Sequence, residues 1–127
     1  MPGRIVGIGG VFFKSADPTA LRGWYEKHLA IKSEGEGGAM FHWKSATEPA
    51  HDHMTVWSIF PAASNYMSGP VMINYIVEDL DDLLARLSDE GVQVDPKRED
   101  CEYGRFAWIY DGDGNKIELW EPPAPTQ

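Results

Sequence analysis

A chain of 127 residues, 43% hydrophobic and 12% aromatic, is long enough for one buried core and too apolar to be disordered except at its ends. The formal charge of −9 gives an acidic surface that repels nucleic acid and anionic membrane; it serves solubility or attracts a cationic small molecule. Cys101 is the one cysteine, so no intrachain disulfide and no thiolate zinc site can form.

The start, MPGRIVGIGG, lacks the apolar run of a secretory signal, and no stretch nears the roughly 20 apolar residues of a membrane helix, so a cytoplasmic setting is expected. A strand is predicted over residues 5–14. Asp17 then caps a helix, with Pro18 where a missing N–H costs nothing. Leu21, Trp24, Tyr25, His28 and Leu29 follow at helical spacing as one apolar stripe, which makes His28 a half-buried stripe residue. Further strands are predicted near residues 33–36, 39–43 and 54–60. The connections between Lys44 and His53 and between Pro61 and Pro70 exceed what hairpins require and read as cleft lips or a linker.

The second half repeats this plan. A strand near residues 72–77 leads to Asp79 as cap, Leu80, Leu83, Leu84 and Leu87 as stripe, and Gly91 as stop. Strands near 92–94, 103–110 and 116–121 complete it, with residues 123–127 as a flexible tail. Asp17 and Asp79 stand 62 positions apart as matching punctuation. The expected fold is therefore α+β, with two tandem βαβββ modules, about 4–61 and 70–122, in one domain over 4–122. Their mixed sheet should curl around one cleft, where function is sought.

Strand alternation drafts the cleft wall. With Gly10, Met72 and Glu118 inward, Ile8, Phe12, Asn74, Ile76, Lys116 and Trp120 share that face, joined by Trp57. Val11, Phe13, Ile73, Tyr75, Val77, Ile117 and Leu119 then pack beneath the helices. The wall is mainly apolar and aromatic, with Asn74 and Glu118 as its amide and carboxylate. A desolvated carboxylate is a candidate catalytic base, and an ion pair with Lys116 or Arg105 is the plainer alternative. Tyr103 and Arg105 either clamp an anionic or polar substrate group at the rim or form an exposed edge salt bridge.

Other motifs fall short. Gly7, Gly9 and Gly10 do not complete a dinucleotide fingerprint, because Phe12 takes the last glycine's place; they suit a bulge or space beside the cleft. The run from Asp111 to Asn115 lacks the later ligands of a calcium loop and reads as a turn. Ser15, Ser58 and Ser64 lack triad spacing. His42, His51 and His53 with Glu118 form the one relocated metal site the sequence offers, although the segment around His51 reads as loop.

The strand-to-helix phrases GGVFFKSADP and VMINYIVEDLDDL, followed by DGDGNKIELWEP, resemble the glyoxalase, bleomycin resistance and extradiol dioxygenase superfamily, over roughly residues 5–122. The resemblance implies paired βαβββ modules around a site that holds a divalent metal or, in members without one, a small molecule. It also makes a homodimer plausible. Metal ligands in such relatives would fall here on Gly10, Met72, a residue near Trp57, and Glu118; a one-residue slip puts Val56 in place of Trp57. Only Glu118 is of a metal-binding type, so no metal cofactor is expected. The leading expectation is a protein that binds a small, largely apolar molecule through Phe12, Trp57, Met72, Asn74, Tyr103, Arg105 and Trp120. Its rivals are a lyase, isomerase or dioxygenase that uses Glu118 as base or a relocated metal, and a resistance-type protein that sequesters a cationic aromatic drug.

Overall fold

A computed structural model describes residues 3–34, 38–44 and 51–123. The elements are β1 (Arg4–Ser15), α1 (Pro18–Leu29), β2 (Ala39–Lys44), β3 (Asp52–Pro61), β4 (Val71–Glu78), α2 (Leu80–Asp89), β5 (Gln93–Cys101), β6 (Gly104–Tyr110) and β7 (Lys116–Glu121). The seven strands form one mixed sheet in the order β2-β3-β1-β4-β7-β6-β5. Within each half the first strand runs parallel to the last, β1 beside β3 and β4 beside β7, and the halves join through antiparallel β1 and β4.

The repeat pattern predicted from sequence is therefore present. Of the expected strand at 33–36, Ser33 and Glu34 are not in a strand, and residues 35–37 lie outside those described. β5 is longer than expected, because Arg98–Cys101 resume pairing with β6 after a shift in register.

Local chemistry sets the helix ends. Asp17 accepts from the amide of Ala20 at 3.1 Å, and Asp79, in the left-handed region at φ 53°, accepts from that of Asp82 at 3.3 Å. Each acceptor satisfies an amide hydrogen that the first helical turn leaves unpaired.

The two helices are seated unequally. On α2, Leu80, Leu83 and Leu84 are buried and pack with Val77, Ala107, Ile109 and Leu119, as the stripe predicts. α1 buries no residue: Trp24 is 50% and Leu29 55% exposed, and His28 is exposed with its ring against Trp24. The expectation of a half-buried His28 is thus corrected. What ties α1 to the sheet is an edge-to-face cluster of Tyr25 with Phe13 and Trp57, whose centroids lie 4.8 to 5.9 Å apart.

β1 carries two irregularities in its pairing with β4, between Ile5 and Gly7 and between Ile8 and Gly10. A Cβ at Gly9 would strike the side chains of Asn74, Ile76 and Trp120, and one at Gly10 would lie 2.6 Å from the Phe12 ring. The glycines thus permit bulges and close packing on the concave face, as their spacing suggested. The second bulge also sets Ile8 opposite Tyr75, in the helix-side layer, which corrects its assignment to the concave wall.

Candidate functional site

The face of the sheet away from the helices carries a second core of Met67, Met72 and Trp108, packed by Phe12, Phe60, Tyr66 and Phe106. Within this apolar surface lies one carboxylate, that of Glu118, 2% exposed. Its position follows from register: on β7 it stands between Asn74 of β4 and Trp108 of β6. The turn at Asp111, pinned by Asn115, fixes that hairpin register.

Three neutral donors meet the carboxylate. Asn74 Nδ2 donates to Oε1 at 2.5 Å, Trp108 Nε1 donates to Oε2 at 3.0 Å, and the Tyr66 hydroxyl also donates to Oε2. Since a carboxylate only accepts, the Asn74 amide must turn its NH2 toward Glu118. That leaves its buried Oδ1 without a partner, facing Gly9. Burial, reinforced by the adjacent charge of Glu118, pushes the Tyr66 phenol far above its ordinary range, so it remains a donor. Among the described residues no cation pairs with Glu118; Lys97 and Lys116 instead sit over the Trp108 ring, with Nζ 5.3 and 5.8 Å from its centroid.

Tyr66 and Met67 belong to the connection between β3 and β4. Their segment folds over the concave face as a roof, with Tyr66 stacked on Phe60 at 5.6 Å and Met67 buried. It is secured at its ends by hydrogen bonds from Ala62 N to Ser15 O and from Lys14 N to Pro70 O.

Of the residues singled out from sequence, the structure brings Phe12, Met72, Asn74 and Glu118 together, with Gly10 beside Phe12 and Asn74. Trp120 joins this face by stacking on Phe106, centroids 6.0 Å apart. Trp57 does not: it pairs with Val11 and faces Tyr25 on the helix side. The counterpart of Glu118 in the first half is Ser58, paired with Phe12 as Glu118 is with Asn74. Neither Trp57 nor Val56 holds that place. Arg105 is occupied at the helix side by Asp81 at 2.6 Å, with Asp100 and Glu121 nearby, and Tyr103 is exposed, its carbonyl accepting from Trp120.

The histidines do not converge. His53 lies against Trp43, while His42 occupies the next register position, which projects to the opposite face of the β2–β3 ribbon. Among the described residues no three metal-binding side chains cluster. The donor set at Glu118 does not fit a divalent ion: glycine, methionine and serine stand at the matching positions, and N–H and O–H donors occupy the carboxylate.

Sequence reading missed Tyr66, Met67, Phe60, Phe106 and Trp108. Hairpin symmetry about the 111–115 turn places Trp108 opposite Glu118 and would have found it. The roof has no periodicity from which Tyr66 could be read.

The model of the Glyoxalase/Bleomycin resistance protein/Dioxygenase superfamily matches residues 8–119. No curated protein matches the sequence. Among solved structures, the chain is similar to methylmalonyl-CoA epimerase of Streptomyces coelicolor in complex with 2-nitronate-propionyl-CoA, at 17% identity and a TM-score of 0.69, covering 95% of this chain and 100% of that one. It is also similar to methylmalonyl-CoA epimerase from Mycobacterium tuberculosis, at 20% identity and 0.59, covering 94% and 90%. A superfamily member from Vibrio splendidus 12B01 aligns at 13% and 0.56, covering 94% and 98%. At such identities these likenesses speak to fold. Together with the family model over nearly the whole sheet, they establish that the chain belongs to the glyoxalase, bleomycin resistance protein and dioxygenase superfamily.

Proposed function

We propose that the protein binds a small carbonyl compound on its aromatic concave face and isomerises it, with Glu118 exchanging a proton on the carbon beside the carbonyl. One observation carries this reading: a buried carboxylate, fixed by three neutral donors and paired with no cation among the described residues, in the middle of an apolar face. A surface salt bridge would not need such surroundings. Burying a charge is costly, and sites that keep one commonly use it in chemistry.

In the proposed step the substrate displaces the Tyr66 hydroxyl from Glu118. The C–H bond breaks, the proton passes to a carboxylate oxygen, and the electron pair moves onto the carbonyl oxygen to give an enolate. Tyr66, still protonated, donates to that oxygen. Return of that proton from Glu118 to a neighbouring atom on the same face completes an isomerisation; an epimerisation takes a proton from solvent on the opposite face while Glu118 gives up its own to solvent. The epimerases among the similar folds agree with this chemistry. The aromatic face by itself supports the binding part.

The test is deuterium incorporation from D2O into a panel of 2-substituted thioesters, 2-oxo acids and hydroxyketones, followed by NMR. Wild-type protein is expected to exchange at least one of them, and Glu118→Gln to slow that exchange by about 10²- to 10⁴-fold. Rotation of the Asn74 amide would let Oδ1 accept from the introduced NH2, so the variant has a way to remain folded. No exchange across the panel, or undiminished exchange by Glu118→Gln, would contradict the proposal.

A further inference from the structure

In a chain with 20 acidic residues, Lys97 and Lys116 flank the Trp108 indole from β5 and β7, and neither has a carboxylate within 4.0 Å among the described residues. Asp95 lies within electrostatic reach of both, and its oxygens are engaged by the Lys97 backbone N–H at 2.9 Å and the Tyr110 hydroxyl at 2.9 Å. Lys116 makes one long contact of 3.4 Å, to the Tyr66 carbonyl in the roof. Beside it opens a surface depression of about 400 Å3, lined by Ser68, Gly69, Pro70 and Val71 at the end of the roof and by Gly114, Asn115 and Lys116. No carboxylate lines it.

The indole links these cations to the candidate site, because the ring whose N–H holds Glu118 at 3.0 Å carries both ammonium groups. A cation over an aromatic face keeps much of its charge available to a further anion. We infer that Lys97 and Lys116 receive an anionic group of the substrate, a carboxylate or a phosphate, about one indole's length from the proton that Glu118 exchanges. The inference rests on the concave face being the substrate site. It assigns to these lysines the anion recognition that the sequence suggested for Arg105, and it favours an anionic ligand over the cationic one the overall charge suggested.

Titration of the full chain with inorganic phosphate and, separately, acetate tests the assignment without turnover, with the Trp108 indole N–H followed by NMR. A saturable shift with either anion is expected, phosphate or acetate identifying which group is preferred. Lys97→Gln and Lys116→Gln should each weaken binding about tenfold, the loss of one charge-assisted contact. Lys27→Gln, an equal charge change on exposed α1, should leave binding unaltered. No saturable shift with either anion, or the same weakening by Lys27→Gln, would overturn the inference. Because anion binding requires no proton exchange by Glu118, a lost proton exchange with intact anion binding would refute only the catalytic reading, and the converse only this one.

Discussion

Asn74 stands beside Glu118 across β4 and β7 in the second half of the sheet, whereas the equivalent pair across β1 and β3 is Phe12 and Ser58. Phe12 and Asn74 each lie five residues before their helix cap, so the comparison is position for position. The same asymmetry reaches the other face, where α2 drives three leucines into the core and α1 is held by aromatic edges. Duplicated backbone plans thus do not require duplicated chemistry. Here one half supplies the carboxylate and most of the deep core, while the other supplies Phe12, Phe60 and the glycines that let Asn74 lie close to β1.

The largest expected effect on stability contrasts the two helices. Leu80→Ala, at a fully buried position, should cost about 2 to 5 kcal/mol in urea unfolding, while Leu29→Ala should stay within about 0.5 kcal/mol. Equal losses would break the comparison. Next comes the roof: Tyr66→Phe removes a hydrogen bond to a buried carboxylate and should cost about 1 to 3 kcal/mol. An unchanged unfolding midpoint would mean that Tyr66 does not secure the roof.

Alkaline titration sharpens the same point. The Tyr66 pKa is raised in the folded state, so its contribution to stability is complete below the ordinary tyrosine range near pH 10 and is lost progressively as pH rises beyond it. Absorbance at 295 nm should therefore show the same ionisation amplitude for wild type and Tyr66→Phe until the protein unfolds; a smaller amplitude in the variant would show that Tyr66 titrates freely. The smallest effect is expected from Arg105→Gln. Its shortest partner, Asp81, is an exposed acid, so the unfolding midpoint should barely move, and a large loss would relocate part of the stability to that edge.

Much of the fold was legible because each element carries local signals. Asp17 and Asp79 mark the helix starts, and period-two alternation sorted Phe12, Met72, Asn74 and Glu118 onto one face. Trp57 failed because two consecutive residues on a strand face opposite ways, and the expected register was off by one: Ser58, not Trp57, pairs with Phe12. Ile8 failed because a bulge reverses alternation, which glycine permits but does not position. Tyr66 and Met67 were illegible for a different reason. A connection folds according to the surface it covers, and that surface exists only after the two halves have met.

The central claim is that the proton-exchanging group lies in the second half alone. Deuterium exchange into the responsive carbonyl compound, measured in parallel for Glu118→Gln and for Ser58→Ala, tests it most directly. The account expects exchange to fall by about 10²-fold or more in the first variant and to remain near wild type in the second. Full exchange without the Glu118 carboxylate, or a comparable loss on removing the Ser58 hydroxyl, would contradict it.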